Sequence, residues 1–97
     1  MNIILIGMPT AGKSTVGAIL AKVKGYEFVD SDLVIQIEEK RLLKDIIEQE
    51  GIEGFVAIEN QVNASLDIEH SIVATGGSVV YGREAMEHLR NIGTVII

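Results

Sequence analysis

Residues 7–14 read Gly-Met-Pro-Thr-Ala-Gly-Lys-Ser, an unbroken G-x-x-x-x-G-K-[ST] pattern between the apolar run Ile3-Ile4-Leu5-Ile6 and a segment of helical periodicity. A strand, a glycine-rich loop and a helix in that order open a parallel α/β unit, so this feature constrains the fold more than any other in the chain. The glycines let successive backbone N–H groups turn inward around an anion, and the following helix points its positive end at the same place. The anion implied is the phosphate of a nucleotide, with Lys13 adding a movable charge and Ser14 a magnesium ligand. Val16, Ile19, Leu20 and Val23 fall at i, i+3, i+4 and i+7. That spacing predicts a stripe facing a core, and Gly25 is placed to stop the helix.

Beyond the loop the pattern alternates. It predicts strands at 2–6, 26–30, 71–75 and 93–97, and helices at 13–24, 32–39, 42–50, 53–67 and 82–91. Alternation of this kind means a parallel sheet with helices on both faces, and the strands are continuous apolar runs, as strands covered on both sides should be. The final strand, Gly93-Thr94-Val95-Ile96-Ile97, has no polar cap or helix after it, so the sheet is expected to be incomplete at the C-terminus. Glu38, Glu39, Lys40, Arg41, Lys44, Asp45, Glu48 and Glu50 surround Leu42, Leu43, Ile46 and Ile47, which reads as a solvated face over a core stripe.

Composition narrows the partners. With 97 residues the chain makes one unit, and its net charge of -6 comes without any Lys/Arg cluster of the kind a nucleic-acid binder needs. The nucleotide is therefore expected to be free. Cysteine is absent, which excludes a disulfide scaffold and a thiol nucleophile and fits a reducing, cytoplasmic compartment. The N-terminal apolar run is too short for a membrane span and has no basic leader.

Two further constellations lie at predicted strand ends. Phe28-Val29-Asp30-Ser31-Asp32 places two carboxylates where a strand gives way to a helix. The carboxyl ends of strands in an open α/β sheet face the ligand crevice, so Asp30 and Asp32 should share a rim with the phosphate loop. A carboxylate there holds magnesium-bound water or accepts a proton from an attacking hydroxyl; the same residues also read as ordinary helix N-caps. Ala74-Thr75-Gly76-Gly77-Ser78 again follows a strand, and its paired glycines allow either a close approach of backbone to a ligand or simply a tight turn. Gly82 and Gly93 read as turn residues, His70 and His88 as structural or exposed, and Glu59 as a surface residue beside the polar Asn60, Gln61 and Asn63.

Taken in order, Gly7-x4-Gly12-Lys13-Ser14-Thr15, Asp30-Ser31-Asp32 and Gly76-Gly77 resemble the shikimate kinase family of P-loop small-molecule kinases, over nearly the whole chain. The resemblance implies a three-layer α/β/α P-loop fold and transfer of the ATP γ-phosphoryl group to a hydroxyl of a small metabolite, with ATP and magnesium as cofactors. It implies that Gly7, Lys13 and the amides of Thr10, Ala11, Gly12, Lys13, Ser14 and Thr15 hold phosphates, and that Ser14 and Asp30 serve the metal. Asp32 would bind and deprotonate the acceptor hydroxyl, and the backbone at Gly76 and Gly77 would touch the acceptor. The family pattern Gly-Glu-x-x-Phe-Arg-x-x-Glu aligns with residues 51–59, with Val56 in place of the arginine that grips an acceptor carboxylate; Ser78 replaces a third glycine. By the same resemblance residues 1–97 are the N-terminal part of a kinase domain. The mobile lid with its arginine, a second acceptor-binding arginine and the adenine-contacting region are expected beyond Ile97.

Two other readings use the same residues. One is a nucleotide-binding module without turnover, suggested by Val56 and the missing lid. The other is an association module in which Thr94–Ile97 pairs with a second copy.

Overall fold

A computed structural model describes residues 1–7 and 10–97, with the side chains of residues 10–14 outside the description. The elements in chain order are β1 (Asn2–Ile6), α1 (Thr10–Lys24), β2 (Glu27–Asp30), α2 (Ser31–Glu39), α3 (Leu43–Ala64), β3 (Ser71–Thr75), a 3-10 turn (Gly77–Tyr81), α4 (Arg83–Ile92) and β4 (Gly93–Ile96). The four strands are parallel in the order β2-β3-β1-β4. Chain connections from β1 run toward the β2 side and those from β3 toward the β4 side, so the direction of winding switches between the neighbours β1 and β3.

Alternation along the strands builds the layers. Ile4, Ile6 and Val73 point to one face, where Leu66, Val79, Ala85, Met86 and Leu89 cover them. Leu5 and Ile72 point to the other, against Ala21 and the half-buried Leu20 and Phe28. A satellite cluster of Ile35, Ile46, Phe55 and Val62 holds α2 to α3. The three-layer α/β/α arrangement follows. Among the described residues, no helix is long and apolar enough to cross a membrane.

Turn chemistry sets several boundaries. Gly25 ends α1 at φ +71, and Gly51, at φ 77 and ψ 173, breaks α3 into the two helical pieces that the sequence pattern predicts. Helix α1 begins at Thr10, three residues before the start at 13 expected from the sequence.

One expectation is overturned. Val16, Ile19 and Val23 are 44%, 59% and 79% exposed, so three of the four residues of the expected α1 stripe point away from the sheet and only Leu20 packs against it. The buried face carries Gly17 and Ala21 instead. The reason is close packing: a Cβ on Gly17 would run into the Phe28 ring, so small residues let the helix axis approach β2 and β3.

Gly82 and Gly93 are more than turn residues. A Cβ at Gly82 would meet the Asn60 side chain, which accepts the Ala85 N–H at 2.9 Å and so caps α4 from across the fold. A Cβ at Gly93 would strike the Asn2 carbonyl.

Candidate active site

The sheet register brings the carboxyl ends of three strands to one rim. Ile6 lies beside Thr75, and Asp30 beside Ala74. The Gly7 N–H donates to the Thr75 carbonyl at 3.3 Å, joining the first residue of the phosphate loop to the end of β3. Gly7 adopts φ +81, which favours glycine, and a Cβ there would come within 3.9 Å of the Gly77 Cα. Both glycines are exposed, so Gly7 and Gly77 present backbone side by side at the rim. This surface lies where the winding reverses, the place at which open α/β sheets bind ligands.

Asp30 closes β2 and is the N-cap of α2, its Oδ1 accepting the Asp32 N–H at 3.0 Å. Capping, one of the two readings of this carboxylate, is therefore realised. Asp32 stands in the first turn of α2, half-buried, with Oδ1 3.8 Å from the point a Cβ of Gly76 would occupy. On the other side of that point, at 3.6 Å, lies Glu59 Oε2. Two carboxylates from different helices thus flank one glycine.

Glu59 is not on the surface, and this corrects the sequence reading. It is 1% exposed, and its Oε1 accepts the Ser78 hydroxyl at 2.8 Å. Asn63, buried as well, donates from Nδ2 to the Glu59 carbonyl at 2.9 Å. The available signal was spacing: Phe55, Glu59, Val62 and Leu66 repeat at four, three and four residues, one helical stripe, and the other three are core. A carboxylate on the apolar stripe of a helix calls for a functional or hydrogen-bonding explanation.

The remaining candidates are placed as follows. Thr15 is exposed near the start of α1. The side chains of Thr10, Ala11, Gly12, Lys13 and Ser14 lie outside the described residues; the backbone of α1 begins at Thr10, so its positive end faces the rim. His88 Nε2 lies 2.6 Å from the Leu66 carbonyl and so donates to it, a structural role, and His70 is an exposed residue against Tyr26.

A nucleotide and magnesium fit the donor set. The exposed glycine backbone and the helix N-terminus suit phosphate oxygens. Among the described residues, no three acidic or histidine side chains gather as a metal cluster. Magnesium, however, is ordinarily held by one or two carboxylates with phosphate oxygens and water, and Asp30 at the rim can supply one.

Known proteins resemble the chain over most of its length. The family profile described as Shikimate kinase matches residues 9–97. The chain belongs to the shikimate kinase family. Shikimate kinase of Synechococcus sp. (strain RCC307) is 48% identical over 80 residues, covering 81% of this chain and 41% of that protein. Shikimate kinase of Symbiobacterium thermophilum is 40% identical over 97 residues, covering 99% of this chain and 56% of that one. Among solved structures, shikimate kinase from Acinetobacter baumannii in complex with shikimate superposes with a TM-score of 0.85 at 37% identity, covering 97% of this chain and 53% of the other. That of Aquifex aeolicus gives 0.83 at 33% identity, with 98% and 61% covered. The chain therefore spans about half the length of the relatives it matches. The family is of phosphotransferases that use ATP and magnesium.

Proposed function

We propose that this chain supplies the phosphate-loop half of a kinase domain that transfers the γ-phosphoryl group of ATP to a hydroxyl of a small polyhydroxylated acceptor. The observation that carries the reading is the convergence of Gly7, the Gly76-Gly77 turn and Asp32 at the point where the sheet reverses its winding.

Lys13 and the amides of Thr10 to Thr15 hold the nucleotide phosphates, with Gly7 giving them room. Ser14 and Asp30 would hold magnesium, which when bound would neutralise charge building on the phosphate oxygens. Asp32 orients the acceptor hydroxyl and takes its proton as the oxygen forms its bond to phosphorus and the bond to ADP breaks. Backbone at Gly76 and Gly77 seats the acceptor. Positioning and charge stabilisation supply most of the catalysis in this chemistry, so short-range geometry at the rim matters more than any covalent step.

The relative from Acinetobacter baumannii is described with shikimate bound, which makes shikimate the first acceptor to test. A cytoplasmic setting suits the cysteine-free composition. Pairing of a second copy along β4, the last strand in the order among the described residues, with Ile96 50% exposed, is a separate reading that light scattering checks, a monomer across a wide concentration range counting against it. The test of the activity is ADP release with the intact protein. Release that requires both Mg-ATP and an added hydroxylated acceptor supports the reading, and no release with shikimate or any small polyol refutes it.

A further inference from the structure

A hydroxyl links the turn after β3 to the long helix α3. Ser78, half-buried at the second position of the 3-10 turn, donates to Glu59 Oε1 at 2.8 Å. The residue at this place departs from the shikimate kinase pattern, which carries a third glycine there. Glycine has no hydroxyl to give, so the hydrogen bond belongs to this chain's own choice of residue.

Both ends of the bond stand on fixed backbone. On the α3 side Glu59 is 1% exposed on the face that carries Phe55 and Val62, and Asn63, one turn on, donates to the Glu59 carbonyl at 2.9 Å. On the other side the turn is anchored by Val79, 1% exposed, whose N–H donates to the Gly76 carbonyl at 3.4 Å and whose carbonyl accepts the Gly82 N–H at 2.9 Å. The backbone therefore needs no help from the hydroxyl. What the hydroxyl constrains is the last torsion of the glutamate, which is otherwise broad and two-fold. A hydrogen bond to a carboxylate is short and strong, so it selects one orientation of the group. With Oε1 held by Ser78, Oε2 lies on the rim side, 3.6 Å from the point a Cβ of Gly76 would occupy.

We propose that Ser78 is a positioning residue for the acceptor: it fixes the plane of the Glu59 carboxylate at the rim and acts through that carboxylate. The inference rests on the kinase reading for what binds beside the Gly76-Gly77 turn, but its readout is affinity, which is separable from turnover.

Calorimetry on the intact protein in Mg-ADP, with shikimate as the probe, compares the parent with Ser78→Ala and Ser78→Thr. Ser78→Ala removes the hydroxyl and should weaken shikimate about 10-fold, the scale of one hydrogen bond to a charged group, while Mg-ADP affinity stays within about 2-fold. Ser78→Thr keeps the hydroxyl and should restore most of the shikimate affinity. A hydroxyl that served only the fold would lower the unfolding midpoint and leave the two ligands unchanged, or weaken them together. No binding of shikimate by the parent, unchanged shikimate affinity in Ser78→Ala, an equal loss for Mg-ADP, or no recovery in Ser78→Thr overturns the inference. The expected pattern of affinities without ADP release in Mg-ATP would uphold it and refute the kinase reading instead.

Discussion

Asn2 offers the sharpest test of how this small fold is held. It is 1% exposed at the start of β1, and its amide makes three hydrogen bonds to three different segments. Nδ2 donates to the Ile68 carbonyl at 3.1 Å and to the Ile92 carbonyl at 3.0 Å, while Oδ1 accepts the Ser71 N–H at 2.9 Å. One side chain thus ties the central strand to the entry of β3 and to the end of α4. Replacing it by alanine removes all three bonds and strands the buried Ser71 amide. At about 1 kcal/mol per bond, with part of a desolvation penalty for the amide, Asn2→Ala should cost about 3 to 4 kcal/mol. Small domains have only about 5 to 15 kcal/mol in total, so this is a large fraction. At about 4 to 8 °C per kcal/mol for a domain of this size, the midpoint should drop by roughly 12 to 30 °C. Urea denaturation followed by far-ultraviolet circular dichroism measures it, with an unchanged slope expected. Asn2→Asp keeps the acceptor for Ser71 but loses both donors, and should also destabilise. A loss below about 1 kcal/mol in Asn2→Ala would show that the cross-strand amide is not what holds this edge, and would refute the reasoning.

Two other perturbations separate stability from function. Gly76→Ala should leave the unfolding midpoint nearly unchanged, because the new methyl makes contacts of 3.6 and 3.8 Å without backbone strain. It should nonetheless weaken acceptor binding by about 10-fold, with Mg-ADP affinity retained, because it fills the gap between Asp32 and Glu59; parallel calorimetric titrations decide it, and unaltered acceptor affinity would place the acceptor elsewhere. Glu84 gives a pH signature: its carboxyl is held below the ordinary glutamate value, first by the hydrogen bond from its own backbone N–H at the start of α4 and then by the Asn60 side chain. A lowered carboxylate pKa contributes stability above the unfolded-state value and loses it as pH falls through the folded one. Glu84→Gln should therefore be less stable than the parent near neutrality, with the gap closing below about pH 4; a gap constant across that range in denaturation curves would sink the assignment.

Much of this was legible in the residues because local and global signals agree. The apolar runs of β1 and β3 mark strands covered on both sides, Gly25 stops α1 by adopting φ above zero, and the order of loops implies the parallel sheet. The misreadings trace to tertiary packing that a local window does not contain. A helix face is chosen by what it packs against, and Gly17 with Ala21 dock more closely on Phe28 than the larger Val16 and Ile19 could. Periodicity counts apolar residues and is blind to small ones. Gly82 and Gly93 are required by tertiary approach to Asn60 and Asn2, which no local window contains. Glu59 was the costly miss for the site: its helical spacing with Phe55 and Val62 placed it on a buried face, but its charge suggested solvent. Asp30 and Asp32 show the reverse, since capping and a rim position coexist in the same two residues.

The most direct test of the central claim is phosphorus NMR of the products formed by the intact protein from Mg-ATP and a hydroxylated acceptor, with and without Asp32→Asn. A phosphate ester should appear in step with ADP. Asp32→Asn should slow both by about 10²- to 10⁴-fold, the usual contribution of a positioned base, while Mg-ADP affinity is retained. ADP accompanied by inorganic phosphate alone, or an ester formed equally fast in Asp32→Asn, would contradict it.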